Sequence, residues 1–307
     1  MTGAPGRILI IGGAGFVGTR VAARLAVRGI ASRLLDLPAA FARSGVSSCA
    51  EWDCVEGDVT DSESLCQAVH GCSGIIHLAA LLTRDCAADP RRAIDVNITG
   101  SLNVFEAARR EQLPVAYLSS SAVFGPDDAT IPAPQSLYGV TKLAVEGIAR
   151  VYATDYLVPS IGLRPYVIYG PGESSGIAAG PSIALAAALR REPATIRFSG
   201  RVGFVYVDDV VRMLADAITR PMSGASVLTV AGDTRDMKDF VREIERQSGW
   251  AEVMIDGEPL RIPSDLVSDR VPSWLGPQPV TSIEKGISEA FAELRQGLSL
   301  VQSRSLN

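Results

Sequence analysis

The stretch RILIIGGAGFVG, residues 7–18, joins a run of branched apolar residues to a cluster of glycines. Gly12, Gly15 and Gly18 form the pattern G-x-x-G-x-x-G, and a helical pattern of apolar residues begins at once, over residues 16–29. Glycines allow a tight turn and a close backbone approach, and the unsatisfied N–H groups of a helix N-terminus attract a pyrophosphate. The stretch therefore predicts a strand, a phosphate-binding turn and a helix that open a dinucleotide-binding fold.

A carboxylate ends the next strand pattern, SRLLDL at residues 32–37. Asp36 follows the glycines by about twenty residues, where an acidic side chain accepts hydrogen bonds from both hydroxyls of an adenosine ribose. The same charge repels a 2′-phosphate. The sequence therefore predicts NAD as the cofactor, while the neighbouring Arg33 keeps NADP open as an alternative.

Strand and helix patterns alternate through the first half of the chain. Further strands are predicted in WDCVEGDV (52–59), GIIHLAA (74–80), VAYLSSS (115–121) and SIGLRPYVI (160–168), and further helices over 61–69, 89–111 and 138–157. The strands are continuously apolar, which is typical of a parallel sheet that is covered on both faces. We predict an α/β protein with a doubly wound parallel Rossmann sheet, and Asp61 as the N-cap of the helix over 61–69.

The second half of the chain is less regular. It contains a helical pattern at 183–191, strand patterns at 194–200, 225–232 and within 251–262, a final helix over 281–296, and a tail over 297–307 that looks loose. We predict an NAD-binding Rossmann domain over 1–166, to which 203–232 return. Residues 167–202 and 233–307 are expected to form a smaller, partly interleaved C-terminal substrate-binding domain.

Composition excludes several classes of protein. Of 307 residues, 47% are apolar and 21% charged, and the net charge of −5 offers no basic field to nucleic acid or to an anionic membrane. The first residues, MTGAPGR, lack the apolar core of a signal peptide, and no later segment resembles a membrane span. We expect a cytoplasmic protein with neither a nucleic-acid nor a membrane partner.

Cysteine and histidine chemistry is not favoured. The five cysteines are Cys49, Cys54, Cys66, Cys72 and Cys86. They form no CxxC pair, so we expect buried reduced thiols and no metal site. A Ser-His-Asp or Cys-His mechanism would need His70 or His77, the two histidines of the chain. His77 lies in the apolar run GIIHLAA and is expected to be a hydrogen-bonded core residue.

The segment SLYGVTK, residues 136–142, places a tyrosine four residues before a lysine at the start of a predicted helix. Tyrosine has a pKa near 10 and is a poor base at neutral pH. Lys142 lies one turn from Tyr138 on the same face, where its ammonium and a positive nicotinamide ring favour the phenolate. Lowering the tyrosine pKa by about three units requires roughly 4 kcal/mol. In a chain that also has a dinucleotide-binding loop, the pair predicts that Tyr138 is a general base and that Lys142 activates it.

With these motifs, the chain resembles the extended branch of the short-chain dehydrogenase/reductase superfamily, the NAD-dependent epimerase/dehydratase family. The resemblance covers most of the chain. It is carried by GGAGFVG (12–18), Asp36, GDV (57–59), HLAA (77–80), DVNITGSLNV (95–104), SSSAVFG (119–125), YGVTK (138–142), LRPYVIYGPG (163–172) and FVYVDDV (204–210).

The resemblance implies roles for individual residues. Tyr138 would act as base or acid, Lys142 as its activator and ribose ligand, and Ser120 as the catalytic serine, with Ser121 as the alternative. The residues expected to bind NAD are Gly12, Gly15, Phe16, Val17, Gly18, Asp36, Asp58, Val59, Leu78, Ala79, Ala80, Asn97, Tyr138, Lys142 and Tyr166. The residues expected to contact substrate are Ser120, Ser121, Phe124, Tyr138 and Val167.

Some positions depart from the pattern of nucleotide-sugar members. Val167 replaces a usual asparagine and Val202 a frequent arginine, and both usual residues help to hold a diphosphate. Arg201, one position away, could compensate. Phe124 replaces the tyrosine of the usual VYG. SSSAVFGP is similar to short-chain threonine dehydrogenases, but the glycine-threonine signature expected after Gly172 is missing.

Three functions remain open at this point. The first is an NAD-dependent oxidoreductase that oxidises a secondary hydroxyl of a small sugar, sugar acid or polyol-like substrate. The alternative is a sugar or nucleotide-sugar epimerase that retains NAD, and the third is a non-catalytic NAD-sensing regulatory protein. The missing diphosphate ligands favour a substrate without a nucleotide, so UDP- and GDP-sugars are not expected to react.

Two further features bear on assembly and access. GESSGIAAGPS, residues 172–182, is either a mobile lid over the substrate or a surface loop. The resemblance implies a homodimer formed through the helices over about 89–111 and 138–157. An apolar stripe of Val145, Ile148 and Tyr152 is suited to that interface, unless it packs only on its own sheet.

Overall fold

The structure is a computed structural model that describes residues 6–44, 46 and 52–304, with side chains through residue 296. The strands are β1 (Arg7–Ile11), β2 (Ser32–Asp36), β3 (Asp53–Glu56), β4 (Cys72–His77), β5 (Val115–Leu118), β6 (Ser160–Pro165), β7 (Val167–Tyr169), β8 (Ala194–Ile196), β9 (Arg201–Tyr206), β10 (Ala225–Val230), β11 (Asp233–Asp236) and β12 (Val253–Ile255). The helices are α1 (Phe16–Val27), α2 (Pro38–Ser44), α3 (Ser62–Val69), α4 (Thr83–Ala88), α5 (Pro90–Ile94), α6 (Gly100–Glu111), α7 (Leu137–Asp155), α8 (Gly180–Arg190), α9 (Val207–Ile218), α10 (Met237–Ser248) and α11 (Ile283–Arg304).

Seven parallel strands form the main sheet, in the order β10-β6-β5-β4-β1-β2-β3. The chain winds outward from β1 in one direction through β2 and β3, then returns to the other side of β1 with β4. The crevice at the carboxyl ends of β1 and β4 is therefore the topological switch point, where doubly wound folds bind their ligands. The predicted fold class is confirmed.

Branched apolar residues hold this sheet between its helices. Leu9 and Ile10 of β1 are 0% exposed, as are Ile75 and Ile76 of the neighbouring β4. Burying each of these side chains contributes about 1.5–3 kcal/mol. The helix over 61–69 begins where the sequence predicts, since the Asp61 carboxylate accepts a hydrogen bond of 3.0 Å from the Glu63 N–H. The predicted helix over 89–111 is interrupted by a π-helical turn at Asp95–Thr99.

A smaller lobe is built from two minor sheets. One is the mixed sheet β11-β9-β7, and the other is the parallel pair β12-β8. Its core is aromatic: Phe204 stacks on Phe240 at 4.5 Å between ring centroids, and Tyr169 meets Phe240 edge-on at 5.1 Å. SIGLRPYVI, predicted as one strand, is divided after Pro165 into β6 of the main sheet and β7 of the small sheet. Tyr166 therefore lies at the junction of the two lobes.

Two predicted boundaries differ from the structure. Residues 203–206 lie in β9 of the small sheet, and the segment that returns to the main sheet is α9 with β10. The tail over 297–307 was expected to be loose, but the backbone of α11 stays helical through Arg304; residues 305–307 lie outside the described residues. The division into an NAD-binding and a substrate-binding domain stays a prediction.

The apolar stripe predicted for a dimer interface is used inside the chain. Val145 is 3% and Tyr152 7% exposed, and the ring of Tyr152 lies 5.5 Å from that of Phe105 on α6. Ile148 is half-buried against the same cluster. Helices α6 and α7 therefore pack on each other through this stripe, and it is not available to a second copy.

Within the described residues, no helix has both the length and the apolar character needed to span a bilayer.

Candidate active site

The phosphate-binding turn has the geometry that its glycines predict. Gly12 adopts φ +81°, and a β-carbon there would lie 2.8 Å from the backbone nitrogen of Ala79. Gly15 is the N-cap of α1 and no side chain caps the helix. The first-turn N–H groups, which include those of Phe16 and Val17, have no partner within a helix. The turn is therefore open to an anion at the switch point.

Asp36 ends β2 beside this turn, and backbone groups hold its carboxylate in place. Its two oxygens accept hydrogen bonds from Ala14 N (3.0 Å) and Leu37 N (2.8 Å). Burial raises the pKa of Asp36, and the two backbone hydrogen bonds only partly offset this effect. Arg33 points elsewhere, donating to Asp53 (2.8 Å) and to the carbonyl of Ala68 (2.8 Å). Arg33 therefore gives no support to the NADP alternative.

We expect the protein to bind NAD more tightly than NADP. The Asp36 carboxylate would repel a 2′-phosphate and lose its hydrogen bonds to the ribose. Asp36→Asn removes that charge and should weaken the binding of NAD, so that the affinities for NAD and NADP become more similar. Asp127→Asn, at an exposed turn, should change neither affinity. Titration of each variant with both cofactors measures the preference, and NADP binding as tight as NAD in the natural protein would show this account of Asp36 to be wrong.

Asp58, predicted to lie beside the adenine, is already engaged in the structure. One oxygen accepts from the Thr60 N–H (2.9 Å) and hydroxyl (2.8 Å), and the other from Arg92 Nη2 (2.9 Å). Burial by itself would raise the pKa of Asp58, but these hydrogen bonds outweigh it and the pKa is lowered. Val59 is 5% exposed. Sequence reasoning missed Arg92, because its pairing with Asp58 depends on how α5 packs.

Asn97, predicted to support the nicotinamide side of the cofactor, is held by hydrogen bonds within the protein. Its side-chain oxygen accepts from Leu81 N (2.7 Å), and its amide donates to Leu81 O (3.0 Å) and to the Thr141 hydroxyl (3.0 Å). Asn97 is 2% exposed and lies in the π-helical turn, a feature often found at functional sites. It ties α7 to the loop after β4, which carries the half-buried Leu78, Ala79 and Ala80.

Ser120, Tyr138 and Lys142 come together where β5 ends and α7 begins. The Ser120 side chain lies close enough to the Tyr138 phenol to lower its pKa. Lys142 Nζ lies 5.6 Å from the centroid of the Tyr138 ring and donates to the carbonyl of Leu118 at 2.8 Å. The hydroxyl of Ser121 is buried and has no partner within the described residues. Of the two candidate serines, Ser120 is the one that the fold brings to the tyrosine.

Local sequence explains why α7 begins so close to the Ser120 segment. The Ser136 hydroxyl caps the helix by accepting a hydrogen bond of 3.1 Å from Gly139 N. A β-carbon at residue 139 would collide with the carbonyl oxygen of Ala122. Glycine after Tyr138 therefore allows the first turn of the helix to rest directly on the loop that carries Ser120.

The ionisation of the pair differs from the sequence prediction. Burial raises the pKa of Tyr138 to about 12, and the nearby Ser120 side chain lowers it only in part. Burial also lowers the pKa of Lys142 to about 8, against the opposing effects of Cys86 and Glu146. The sequence predicts a phenol acidified both by Lys142 and by a bound nicotinamide ring. In the protein without NAD, desolvation, which a sequence pattern does not show, has the larger effect on the pKa of Tyr138. At pH 7, Lys142 is still mostly protonated.

Two residues predicted to contact substrate are core residues instead. Phe124 is 2% exposed and stacks on the Arg164 guanidinium, 5.0 Å from the ring centroid. Val167 is 1% exposed and pairs with Phe204 between β7 and β9. Val202 is also 1% exposed, whereas Arg201 is exposed. Phe124, Val167 and Val202 belong to the hydrophobic core, so their side chains offer no surface to a ligand.

The segment 172–182 lies against the start of α1 and the loop after β4. Gly172 faces Phe16 of the phosphate turn, and Gly176 faces Leu82 after β4. Residues 180–182 are already the first turn of α8, so the lid predicted over 172–182 is restricted to the part before α8. Tyr166 is 8% exposed, and its hydroxyl donates to Ile262 O at 3.4 Å.

The cysteines and His77 are not part of the Ser120, Tyr138 and Lys142 group. Cys86 is buried and the other described cysteines are half-buried rather than buried; Cys49 lies outside the described residues. His77 is 5% exposed, as predicted for the core, and Nε2 lies 2.9 Å from the Ser101 hydroxyl. Its Nδ1 has no partner within the described residues, so the ring is only half satisfied. Burial lowers its pKa to about 3, so it is neutral.

The described residues fit a bound NAD. The glycine turn and the uncapped N-terminus of α1 suit a pyrophosphate, Asp36 suits the adenosine ribose, and Tyr138 and Lys142 lie across the switch point from them. A bound NAD would supply a hydride acceptor and a positively charged ring.

Comparison with known proteins places the chain in a family. The family model described as "NAD dependent epimerase/dehydratase family" matches residues 8–231. A dTDP-L-rhamnose 4-epimerase from Burkholderia thailandensis is 28% identical, over 95% of this chain and 96% of that protein.

Solved structures show the same fold. A UDP-glucose 4-epimerase from Thermotoga maritima, crystallised with UDP-glucose, superposes with a TM-score of 0.84 at 24% identity, over 95% of this chain and 99% of that one. A GalE-like L-threonine dehydrogenase from Cupriavidus necator superposes with a TM-score of 0.83 at 24% identity, over 94% and 99% of the two chains. The fold alone therefore does not separate epimerisation from net oxidation. The chain belongs to the NAD-dependent epimerase/dehydratase family and is an NAD-dependent enzyme of the extended short-chain dehydrogenase/reductase superfamily.

Proposed function

We propose that the protein is a sugar epimerase that retains its NAD and inverts one secondary alcohol. The observation that carries the proposal is the convergence of Ser120, Tyr138 and Lys142 where β5 ends and α7 begins. The sequence by itself favoured net oxidation and ranked epimerisation second. The likeness to a 4-epimerase along nearly the whole chain reverses that order.

The three side chains would divide the chemistry among them. The Ser120 hydroxyl would hold the substrate oxygen beside the phenol. As the carbon-bound hydrogen leaves as hydride to NAD, Tyr138 would take the hydroxyl proton, and a ketone forms. The Lys142 ammonium would stabilise the phenolate and bind the cofactor ribose. Return of the hydride to the opposite face of the ketone, with the proton given back by Tyr138, would complete the inversion.

We further propose a nucleotide-linked sugar as the substrate class, because the relative that spans nearly the whole chain is named for one. Val167 and Val202 cannot donate to a diphosphate, so other groups must bind it, and the exposed Arg201 is the nearest candidate. The test is a panel of dTDP-, UDP- and GDP-sugars and free sugars, with epimer formation followed by NMR. If only free sugars are converted, the substrate is not linked to a nucleotide, and the smaller substrate that Val167 and Val202 favour would be supported instead.

A second candidate is a dehydrogenase that acts on a small hydroxylated substrate and releases NADH. The two buried valines favour it, because they remove the side-chain donors that a diphosphate would need. NADH that accumulates in proportion to the substrate consumed would establish this function in place of epimerisation. A purely NAD-sensing role is disfavoured, since Ser120, Tyr138 and Lys142 are all present and in contact range.

We expect a homodimer, formed by a face of α5, α6 and α7 other than the predicted stripe. Val140 and Val151 of α7 are 45% and 48% exposed, and Leu102 of α6 is 39% exposed. Val151→Glu should shift the protein to monomers in light scattering at micromolar concentration. Val27→Glu, at an equally apolar but 89% exposed position on α1, should not. A natural protein that is already monomeric would contradict the proposal. The cytoplasmic location also stays a prediction.

A further inference from the structure

An ion pair between Arg164 and Glu146 lies next to Ser120, Tyr138 and Lys142. Arg164 of β6 donates to both oxygens of Glu146 on α7, from Nε at 2.8 Å and from Nη2 at 2.5 Å. The two side chains are 15% and 7% exposed. A bidentate pair of this kind fixes the relative orientation of both side chains, and removing one partner leaves a buried charge.

This pair contacts both ends of the segment that carries Ser120. At one end, the Ser119 hydroxyl donates to Glu146 Oε1 at 2.5 Å. At the other end, the Arg164 guanidinium lies 5.0 Å from the centroid of the Phe124 ring, a cation–π contact. Residues 119–124, which we call the serine loop, are thus held at both ends by one ion pair. Ser120 lies between the two contacts.

The same pair lies next to Lys142 on α7, because Glu146 follows it by one helical turn. The charged and titratable groups that face Lys142 are Tyr138 and Glu146 on α7, Cys86 on α4 and His77 on β4, with Arg164 of β6 behind Glu146. His77 is neutral and Cys86 is a buried thiol whose pKa is raised. Glu146 is therefore the acidic side chain beside Lys142 that favours its ammonium form.

We propose that Glu146 and Arg164 are positioning residues: their ion pair holds the serine loop against Tyr138 and keeps Lys142 protonated. The inference rests on the proposed catalytic use of Ser120, Tyr138 and Lys142. It adds two residues that act through these three and that do not themselves touch substrate.

The charge on Lys142 can be measured without any substrate. The chain has three lysines, and the other two, Lys238 and Lys285, are exposed, so lysine labelled with ¹³C at Cε gives a three-signal NMR spectrum. The Lys142 signal is identified by its absence in Lys142→Met. In the natural protein, the pH midpoint of this signal should be well below the midpoints of the two exposed lysines. In Glu146→Gln its midpoint should fall by about one pH unit. Arg164→Lys keeps the positive charge, so the pH midpoint of the Lys142 signal should not change in that variant.

Arg164→Lys instead tests the positioning of the serine loop. Lysine cannot form the bidentate pair or stack on Phe124 in the same way. We expect kcat to fall by about tenfold or more with the NAD Kd unchanged, and Ser119→Ala to act in the same direction. These two variants also keep the proposal testable if Glu146→Gln does not fold.

An unchanged Lys142 midpoint in folded Glu146→Gln would overturn the electrostatic part of the proposal. Full turnover in both Arg164→Lys and Ser119→Ala would overturn the positioning part. If no substrate is ever found, the NMR result still stands by itself, so a failure of the proposed reaction and a failure of this inference can be told apart.

Discussion

Tyr138→Phe should lower turnover by about 10²–10⁴-fold, the range typical for loss of a general acid–base. The phenylalanine ring fills the same space, so the packing of α7 on the serine loop is kept. The variant removes only the hydroxyl that lies near Ser120 and that would exchange the substrate proton. NAD affinity should change little, because the phosphate turn and Asp36 are untouched. Steady-state turnover and NAD titration of the same preparation measure both effects.

The matched control is Tyr156→Phe. Tyr156 lies at the other end of α7 and is 42% exposed, so loss of its hydroxyl should leave turnover unchanged. Turnover of Tyr138→Phe close to that of the natural protein would eliminate Tyr138 as the proton acceptor and with it the proposed mechanism.

Lys142→Met should lose both turnover and cofactor affinity. A hydrogen bond to a charged group contributes about 1.5–3 kcal/mol, which corresponds to roughly 10- to 100-fold weaker NAD binding. Turnover should fall further, since the ammonium also stabilises the phenolate. Lys238→Met and Lys285→Met remove exposed lysines and should leave both quantities unchanged. If Lys142→Met bound NAD as tightly as the natural protein, Lys142 would not be a cofactor ligand.

The pH dependence of NAD binding gives a second measure of Lys142. Its pKa is lowered to about 8, chiefly by burial, so the ammonium form is present below that pH and is lost above it. NAD affinity of the natural protein should therefore decline as pH rises above about 8. Lys142→Met has no group to lose and should show no decline in that range, which isothermal titration over several pH values can test.

Local patterns predicted the parts of the site that depend on neighbours in the chain. The turn at Gly12, the carboxylate of Asp36 and the Tyr138–Lys142 pair all follow from spacings of one strand or one helical turn. Each of these residues lies at the turn, strand end or helix start that its pattern predicts, and its role in binding or catalysis stays a prediction. The fold class followed for the same reason, because alternating apolar strands and helices leave few topologies for the chain.

The remaining features depend on tertiary packing, which spacing does not specify. Arg164 and Glu146 pair across β6 and α7, although Glu146 continues the four-residue series that begins at Tyr138 and passes through Lys142, a signal that could have identified it. Phe124 and Val167 match motif positions near the substrate, but the fold buries them in its core. The raised pKa of Tyr138 comes mainly from desolvation, a property of the assembled site.

In the proposed reaction, a hydride would leave the substrate and return to the same carbon while NAD stays bound. Incubating the protein with its sugar substrate in D₂O and following the product by ¹H NMR tests this most directly. We expect an inverted alcohol whose carbon-bound hydrogen is retained as protium, with no NADH released into solution. Deuterium at the inverted carbon, or NADH that accumulates in step with substrate loss, would contradict it.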